Sequence, residues 1–486
     1  MPTTQSIEEL REKVSRMLDR LDPDVPIGST VVFKVRKAKE GTFEGQAAAL
    51  ADATQKLPGC KIFDFNRHQS IYSDPVKDPL QFLIYEEWDT VRQFRVQWDS
   101  AHLKHFQAGV MDWVTEPPDL DFYNPQTSSG QLRLQQTGQI SCFSASGQKI
   151  DCKGTGQDAE FRRGAKSAVP RFTDNCDGTV TDKITGLIWL KDADTFGPVS
   201  WEQALSYARN LASGHYGLSD GSAKGDWRLS NIRELLSLID YGTFTPIIPH
   251  HNPFNNVKAA IYWTSTTLAP APLLAWMMTL AIGPTVFDVK TSPGNRMWPV
   301  RGQGRIPKTG QQQCWDAQGK ALTTCSGSGQ DGELQAGVPL PNPRFTDNGD
   351  GTVTDNHTQL VWLRKANPFG LRIWEEALAL CNNLCSGNYG LTDGSVPGDW
   401  RLPNIREAES VVDYGQAGPC LPNRGQNPQG NPVFEDLRPS SYWTSTSVTA
   451  APTEAMFIIY GVGPTIFESK EHPFFVWPVR DKLRDS

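Results

Sequence analysis

A ten-residue stretch, Gly398-Asp399-Trp400-Arg401-Leu402-Pro403-Asn404-Ile405-Arg406-Glu407, has an earlier counterpart 173 positions back, Gly225-Asp226-Trp227-Arg228-Leu229-Ser230-Asn231-Ile232-Arg233-Glu234. The same offset aligns Arg171-Phe172-Thr173-Asp174 with Arg344-Phe345-Thr346-Asp347. Further on, Tyr262-Trp263-Thr264-Ser265-Thr266 recurs as Tyr442-Trp443-Thr444-Ser445-Thr446, and Trp298-Pro299-Val300-Arg301 as Trp477-Pro478-Val479-Arg480. Solenoids and propellers repeat every 20–50 residues or so, roughly a quarter of this period or less. A repeat this long, rich in Trp, Gly and Asp, means two tandem globular domains.

The chain has 486 residues, enough for about three domains at roughly 150 residues each. We place the repeats at 139–304 and 310–481, an N-terminal domain at 28–124, a helix within 1–27 and a linker at 125–138. A net charge of −7 with no long basic run argues against nucleic acid as partner. No stretch approaches the ~18 uninterrupted apolar residues of a membrane helix.

Cysteine usage and the N-terminus point to different compartments. Cys142 and Cys152 correspond to Cys314 and Cys325, each pair framing a Gly-containing turn. That recurrence suggests two disulfide-closed hairpins and an oxidising compartment. The first 21 residues carry no apolar signal region or cleavage site, which leaves the cytoplasm as the default. The spacings match no zinc pattern, so no metal site is expected.

In the N-terminal domain, Ser29–Lys37, Cys60–Ser70, Leu80–Trp88 and Leu120–Tyr123 read as strands. Thr42–Leu57 and Thr90–Val114 read as helices. The order β-α-β-β-α-β is the ferredoxin-like split βαβ unit. Within it, Phe82-Leu83-Ile84-Tyr85-Glu86-Glu87-Trp88-Asp89, followed by a helix ending Ser100-Ala101-His102-Leu103-Lys104-His105-Phe106, resembles the antibiotic-biosynthesis-monooxygenase (ABM) family. The resemblance implies a dimeric α+β barrel, and in some members oxidation of aromatic polyketides or quinols without metal or flavin. A His common in the family about four positions before His102 is replaced here by Trp98. Cofactor-free oxygenation needs a base or hydrogen-bond donor beside an apolar pocket. His102, Trp88 and Asn66 are the catalytic candidates, with no cofactor.

The repeats carry Asp-Asn-Gly-Asp-Gly-Thr-Val-Thr-Asp, Gly-Asp-Trp-Arg-Leu-Pro-Asn and Tyr-Trp-Thr-Ser-Thr nearly end to end, and together these resemble the Lcl C-terminal domain family. That resemblance implies a C-type-lectin-like fold and, in the member the family is named for, binding of sulfated polysaccharide. The fold class expected for the chain is therefore α+β multidomain: a ferredoxin-like dimeric barrel plus two tandem C-type-lectin-like domains.

Asp347-Asn348-Gly349-Asp350-Gly351 lacks the ligand at position 1 and the Glu at position 12 of an EF-type calcium loop, so a β-hairpin turn is the better reading. Gly-Asp-Trp-Arg-Leu occurs in both copies, so its Trp is expected to anchor the core and its Arg to pair with Glu234 or Glu407. Ligand is instead expected at segments that differ between copies, naming His250, His251, Trp276, Arg424 and Phe457. Cys381 and Cys385, four apart, suggest core packing or a bridge to Cys420. The expected function is ligand binding, with a homodimer presenting four similar faces to a polysaccharide or protein. The alternative is an ABM-type monooxygenase that uses the repeats to recruit substrate.

Overall fold

The computed structural model describes residues 7–19, 23–24, 27–68, 80–115, 118–123, 134–166, 170–250, 252–422 and 430–482. Contacts divide the chain into two compact units, Met1–Gly130 and Gln131–Ser486.

The N-terminal unit runs α1 (Ile7–Leu18), β1 (Ile27–Val35), α2 (Glu40–Thr54), β2 (Cys60–His68), β3 (Leu80–Trp88), α3 (Val91–Trp98), α4 (Ala101–Trp113) and β4 (Asp119–Tyr123). Its strands form one antiparallel sheet in the order β2-β3-β1-β4, which is the ferredoxin-like arrangement. Side chains alternate across a strand, and Phe82, Ile84, Glu86 and Trp88 of β3 are all buried. Onto that face α2 brings Phe43, Ala47 and Leu50 while α4 brings Phe106 and Val110. The Phe43 ring sits 5.0–5.7 Å from those of Phe33, Phe82 and Phe106.

The single helix expected over Thr90–Val114 is two. α3 ends at Asp99, and the Ser100 hydroxyl accepts the Leu103 N–H at 3.2 Å, a cap strong enough to start a new helix.

In the second unit each repeat builds a small antiparallel sheet from its Arg-Phe-Thr-Asp hairpin, a following strand and the Pro-Val-Arg strand. A three-stranded sheet follows, made of Ile261–Thr267, Leu274–Thr279 and Thr285–Val289 in the first repeat. In the second it is made of Ser441–Ser447, Glu454–Ile459 and Thr465–Ser469. The helices after the Gly-Asp-Trp-Arg-Leu motifs start from Asn231 and Asn404 in capping boxes with Glu234 and Glu407. They run Ile232–Ser237 and Ile405–Ser410, where the sequence pattern predicts helices over Asn231–Tyr241 and Asn404–Tyr414, and the Tyr241 and Tyr414 N–H groups turn instead to the carbonyls of Thr137 and Thr309.

The repeats interlock rather than forming two separate bodies. Disulfides Cys142–Cys152 and Cys314–Cys325 close the two hairpins, and each hairpin docks on the opposite repeat. Lys470 Nζ donates to the Phe143 and Ser144 carbonyls at 3.2 and 3.3 Å, and Lys290 Nζ to those of Trp315 and Asp316 at 3.3 Å. Each ammonium also lies 4.2 Å from a tryptophan ring, Trp374 and Trp201 respectively, a cation–π contact. Asp158 accepts the Thr446 hydroxyl and Asp331 the Thr266 hydroxyl, both at 2.7 Å. Those same hydroxyls accept the helix-start N–H of Ile405 and Ile232 at 3.0 and 3.1 Å. Each repeat is thus completed by a segment of the other, a segment exchange within one chain.

Excising residues 139–304 removes the hairpin that covers Trp201, Lys290 and Thr266. The fragment is expected to pair with a second copy or to lose cooperative unfolding. Light scattering with near-ultraviolet circular dichroism checks this, and a folded monomer would refute the exchange as a requirement.

Candidate functional site

The motifs shared by the repeats converge beneath one loop in each. The Trp227 indole N–H donates to Ser222 Oγ at 3.0 Å, whose hydroxyl donates to Asp220 at 2.7 Å. Arg301, from the Trp-Pro-Val-Arg motif, reaches Asp220 at 3.3 Å and lies 5.5 Å over the Trp227 ring. In the second repeat Trp400, Ser395, Asp393 and Arg480 repeat every contact, with Arg480 3.1 Å from Asp393. Arg228 and Arg401 form bidentate pairs with Glu234 and Glu407 at 2.6–2.8 Å, as expected from the sequence.

The Asp-Asn-Gly-Asp-Gly segment is the expected hairpin turn. Asp347 accepts the Gly349 N–H, and Asp350 accepts both the N–H and the hydroxyl of Thr352. Its other role is to support the loop. A Cβ on Gly351 would lie 2.5 Å from the Gly390 carbonyl oxygen, and one on Gly178 2.6 Å from that of Gly217. Main-chain bonds Ser219 N–H to Asp177 and Thr392 N–H to Asp350, both 2.9 Å, fasten loop to turn.

What the loop presents is a tyrosine. Tyr216 and Tyr389 are 60 % and 47 % exposed, and both hold positive φ, 52° and 51°, a region side chains other than glycine rarely occupy. Tyr216 packs 4.9 Å from Phe196, which stacks at 5.4 Å on the half-exposed Tyr207. Tyr389 packs 5.1 Å edge-on against Phe369, beside the exposed Leu371. Each repeat therefore presents an exposed tyrosine ring packed on a less exposed phenylalanine, an aromatic shelf. No residue of these shelves was among the candidates. The available signal was a tyrosine followed by glycine, with another glycine two positions before it, in both copies.

The N-terminal unit holds a different feature, a cavity of about 50 Å³ walled by apolar side chains from both helices and the sheet. That is room for roughly three or four water molecules. One ionisable group lines it, Glu86, whose carboxylate accepts the Ser29 hydroxyl at 2.7 Å and the Trp88 indole N–H at 3.0 Å. Burial pushes the Glu86 carboxyl up, against those two hydrogen bonds. Alternation along β3 put Glu86 on the core face with Phe82, Ile84 and Trp88, and that periodicity could have identified it.

Among the expected catalytic residues, Trp88 is fully buried and acts on Glu86. His102 is half-buried, with Nε2 2.7 Å from Gln97 Oε1 and 3.2 Å from Ser100 Oγ. It does not line the cavity, though Gln97 does. Burial lowers the His102 pKa. Asn66 pairs with Leu83 along β2, and its side chain lies outside the described residues.

Among the expected ligand-binding residues, His250 is exposed, while His251 and Arg424 lie outside the described residues. Trp276 and Phe457 are core residues, 1 % and 6 % exposed. Both sit on strands rather than in surface loops. Trp276 packs 5.3 Å from Tyr414 of the other repeat, and Phe457 4.4 Å from Phe474. Cys381, Cys385 and Cys420 are unbridged, and burial pushes the Cys381 and Cys420 thiols up. Among the described residues no helix is long and apolar enough to cross a membrane.

A raised carboxyl pKa means that folding favours neutral Glu86. Its penalty is absent at acid pH and grows as pH rises through the folded-state value. Glu86→Gln is therefore expected to unfold at a higher temperature than the parent at pH 8, the gap closing toward pH 4. A gap independent of pH in thermal melts would show that Glu86 is not the titrating group.

The Lcl C-terminal domain model matches residues 178–301 and 351–480, and the antibiotic biosynthesis monooxygenase model matches 26–109. No curated protein matches the chain. Solved structures similar to part of it include one from Nitrosomonas europaea, titled as a candidate antibiotic biosynthesis monooxygenase. It is 23 % identical, with TM-score 0.18, over 21 % of this chain and 92 % of that one. Others come from Mycobacterium tuberculosis (17 %, TM-score 0.18, 21 % and 97 %) and Pseudomonas aeruginosa (15 %, TM-score 0.19, 22 % and 100 %).

Proposed function

The chain belongs to the Lcl C-terminal domain family, and on that premise we propose that it is a polysaccharide-binding protein whose two aromatic shelves stack on sugar rings. The observation that carries this reading is the convergence of the shared motifs beneath an exposed tyrosine at positive φ in each repeat. Strain of this kind persists only where the surroundings over-determine it, and it clusters at functional sites. A pyranose presents a flat C–H face, and a tyrosine offers it a rigid apolar ring with a polar tip. The net charge of −7 favours sugars recognised by ring faces over polyanions. A C-type-lectin-like kinship of the repeats belongs with this reading, as does an oxidising compartment that would keep both disulfides. The ABM-type unit would act as the dimerising module. Two shelves per chain and four per dimer raise apparent affinity through effective concentration, without new contacts.

Tyr216→Ala and Tyr389→Ala are each expected to lower retention on immobilised polysaccharide about tenfold, and the double variant to abolish it. The Gly variants should bind as poorly while melting no lower than the parent, because glycine takes positive φ without strain. Affinity electrophoresis across a polysaccharide panel reads this out. Equal retention of parent and double variant would remove the shelves from the function.

A second reading is favoured by one observation, the carboxyl of Glu86 inside an apolar cavity. Oxygenation of a small phenol or quinol by dioxygen there would require the cavity to widen beyond its roughly three or four water-sized sites, and would use Glu86 as the proton acceptor. His102 would bear on the cavity only through Gln97, which lines it. Oxygen uptake with a quinol panel tests it, and unchanged uptake in Glu86→Gln would exclude that residue.

A further inference from the structure

Arg233 and Arg406 occupy equivalent positions on the capped helices, which meet across the seam between the repeats. Each donates an Nη2–H to a main-chain carbonyl of the opposite repeat, Arg233 to Val412 and Arg406 to Ile239. Each also lies over that repeat's tyrosine ring, Tyr414 at 5.5 Å and Tyr241 at 5.8 Å. The Nε–H of both is buried and has no acceptor. Behind them Arg171 and Arg344 clasp Asp182 and Asp355 at 2.6–3.0 Å, and Arg344 Nη1 is likewise buried without a partner. Arg171, Arg233 and Arg406 line a cavity of about 90 Å³ with His357, Glu409 and Tyr414.

One carboxylate lines the cavity beside three guanidiniums. Asp182 and Asp355 are matched by Arg171 and Arg344. Asp240 and Asp413 accept the N–H groups of Gly242 and Gly415 and favour the charged forms of Arg406 and Arg233 from outside the cavity, which they do not line. Glu409 is the one carboxylate among the lining residues, at the position Leu236 takes in the first repeat, and it accepts the Tyr241 hydroxyl at 3.2 Å. Burial pushes its carboxyl up to about 7 in spite of the two guanidiniums, and burial lowers the pKa of Arg233 and Arg406. Buried cations with unmade hydrogen bonds are costly and are relieved by an anion that supplies the missing acceptors. At roughly 10–15 Å³ per water-sized site, the cavity of about 90 Å³ has room for roughly six to nine heavy atoms, enough for a five-atom oxyanion.

We propose that the seam cavity binds one small tetrahedral oxyanion, of phosphate or sulfate type, between Arg233 and Arg406. The site exists only because the repeats are joined, one guanidinium coming from each. Glu409 opposes the anion and sets its affinity. The site is independent of the aromatic shelves.

The test is calorimetric titration of the full chain with inorganic phosphate and, separately, inorganic sulfate, at constant ionic strength in chloride. One saturable site per chain is expected, and the preferred ion identifies the source. Arg406→Gln should weaken binding at least tenfold. Glu409→Gln keeps the shape, removes the competing charge and should tighten binding several-fold. Tyr216→Ala with Tyr389→Ala should leave it unchanged. Absence of saturable binding in both the parent and Glu409→Gln overturns the proposal. So does equal affinity in a folded Arg406→Gln, or a Glu409→Gln that binds no tighter than the parent.

Discussion

Two threonine hydroxyls hold the second unit together. Thr266 and Thr446 each accept the first N–H of a capped helix in their own repeat and donate to an aspartate from the other. A hydroxyl can do both at once because it carries a donor and two acceptor sites. Replacing either role would leave a helix terminus unsatisfied or strand a buried carboxyl. Burial raises the pKa of Asp158 and Asp331 to about 6, against the threonine hydrogen bonds, which favour the charged carboxylates. The Tyr-Trp-Thr-Ser-Thr motif recurs in both copies for this reason: its last threonine is where local helix and distant hairpin meet.

From that joint the remaining motifs follow as a chain of supports. The asparagine-capped helix fixes Glu234 and Glu407, these hold Arg228 and Arg401, and the adjoining tryptophans carry the serine, aspartate and arginine under the tyrosine loop. The hairpin glycines allow that loop to approach. Few of these groups touch solvent, which is why mutating them would act on stability first. The tyrosine at the end is exposed, strained and supported by all of them. It contributes little to packing. Conserving such an arrangement across two copies within one chain is easier to understand if the tip is used than if it is a by-product.

Short-range chemistry was legible in the sequence, and long-range placement was not. The Arg–Glu pairs, six positions apart around an asparagine cap, followed from residue types and spacing, as did the cysteine pairs and the Asx-rich turn. The repeat also revealed two copies, but it could not say which copy each hairpin covers, because identical surfaces are offered to both. The bond from Thr446 to Asp158 spans 288 positions. Trp276 and Phe457 were assigned to loops because their segments differ between copies. The structure puts both on strands in the core, where a difference between copies reflects packing and not a surface. Glu86 went unnoticed because a single carboxylate within an aromatic strand reads as its solvent face until the alternation is counted through Phe82, Ile84 and Trp88.

Joining two copies in one chain does more than raise local concentration. A seam between identical chains must be symmetric, so any residue placed near its axis appears twice. Here the halves have diverged where they meet: Leu236 faces the seam in one repeat and Glu409 in the other, Ile184 in one and His357 in the other. A symmetric seam would set two carboxylates against two arginines and close the charge. One carboxylate lines the cavity, while Asp240 and Asp413 act on Arg406 and Arg233 from outside it, so the guanidinium Nε–H groups at the seam keep unmade hydrogen bonds. The reciprocal hairpins, each closed by a disulfide and held by a lysine over a tryptophan, keep the two repeats joined across that seam.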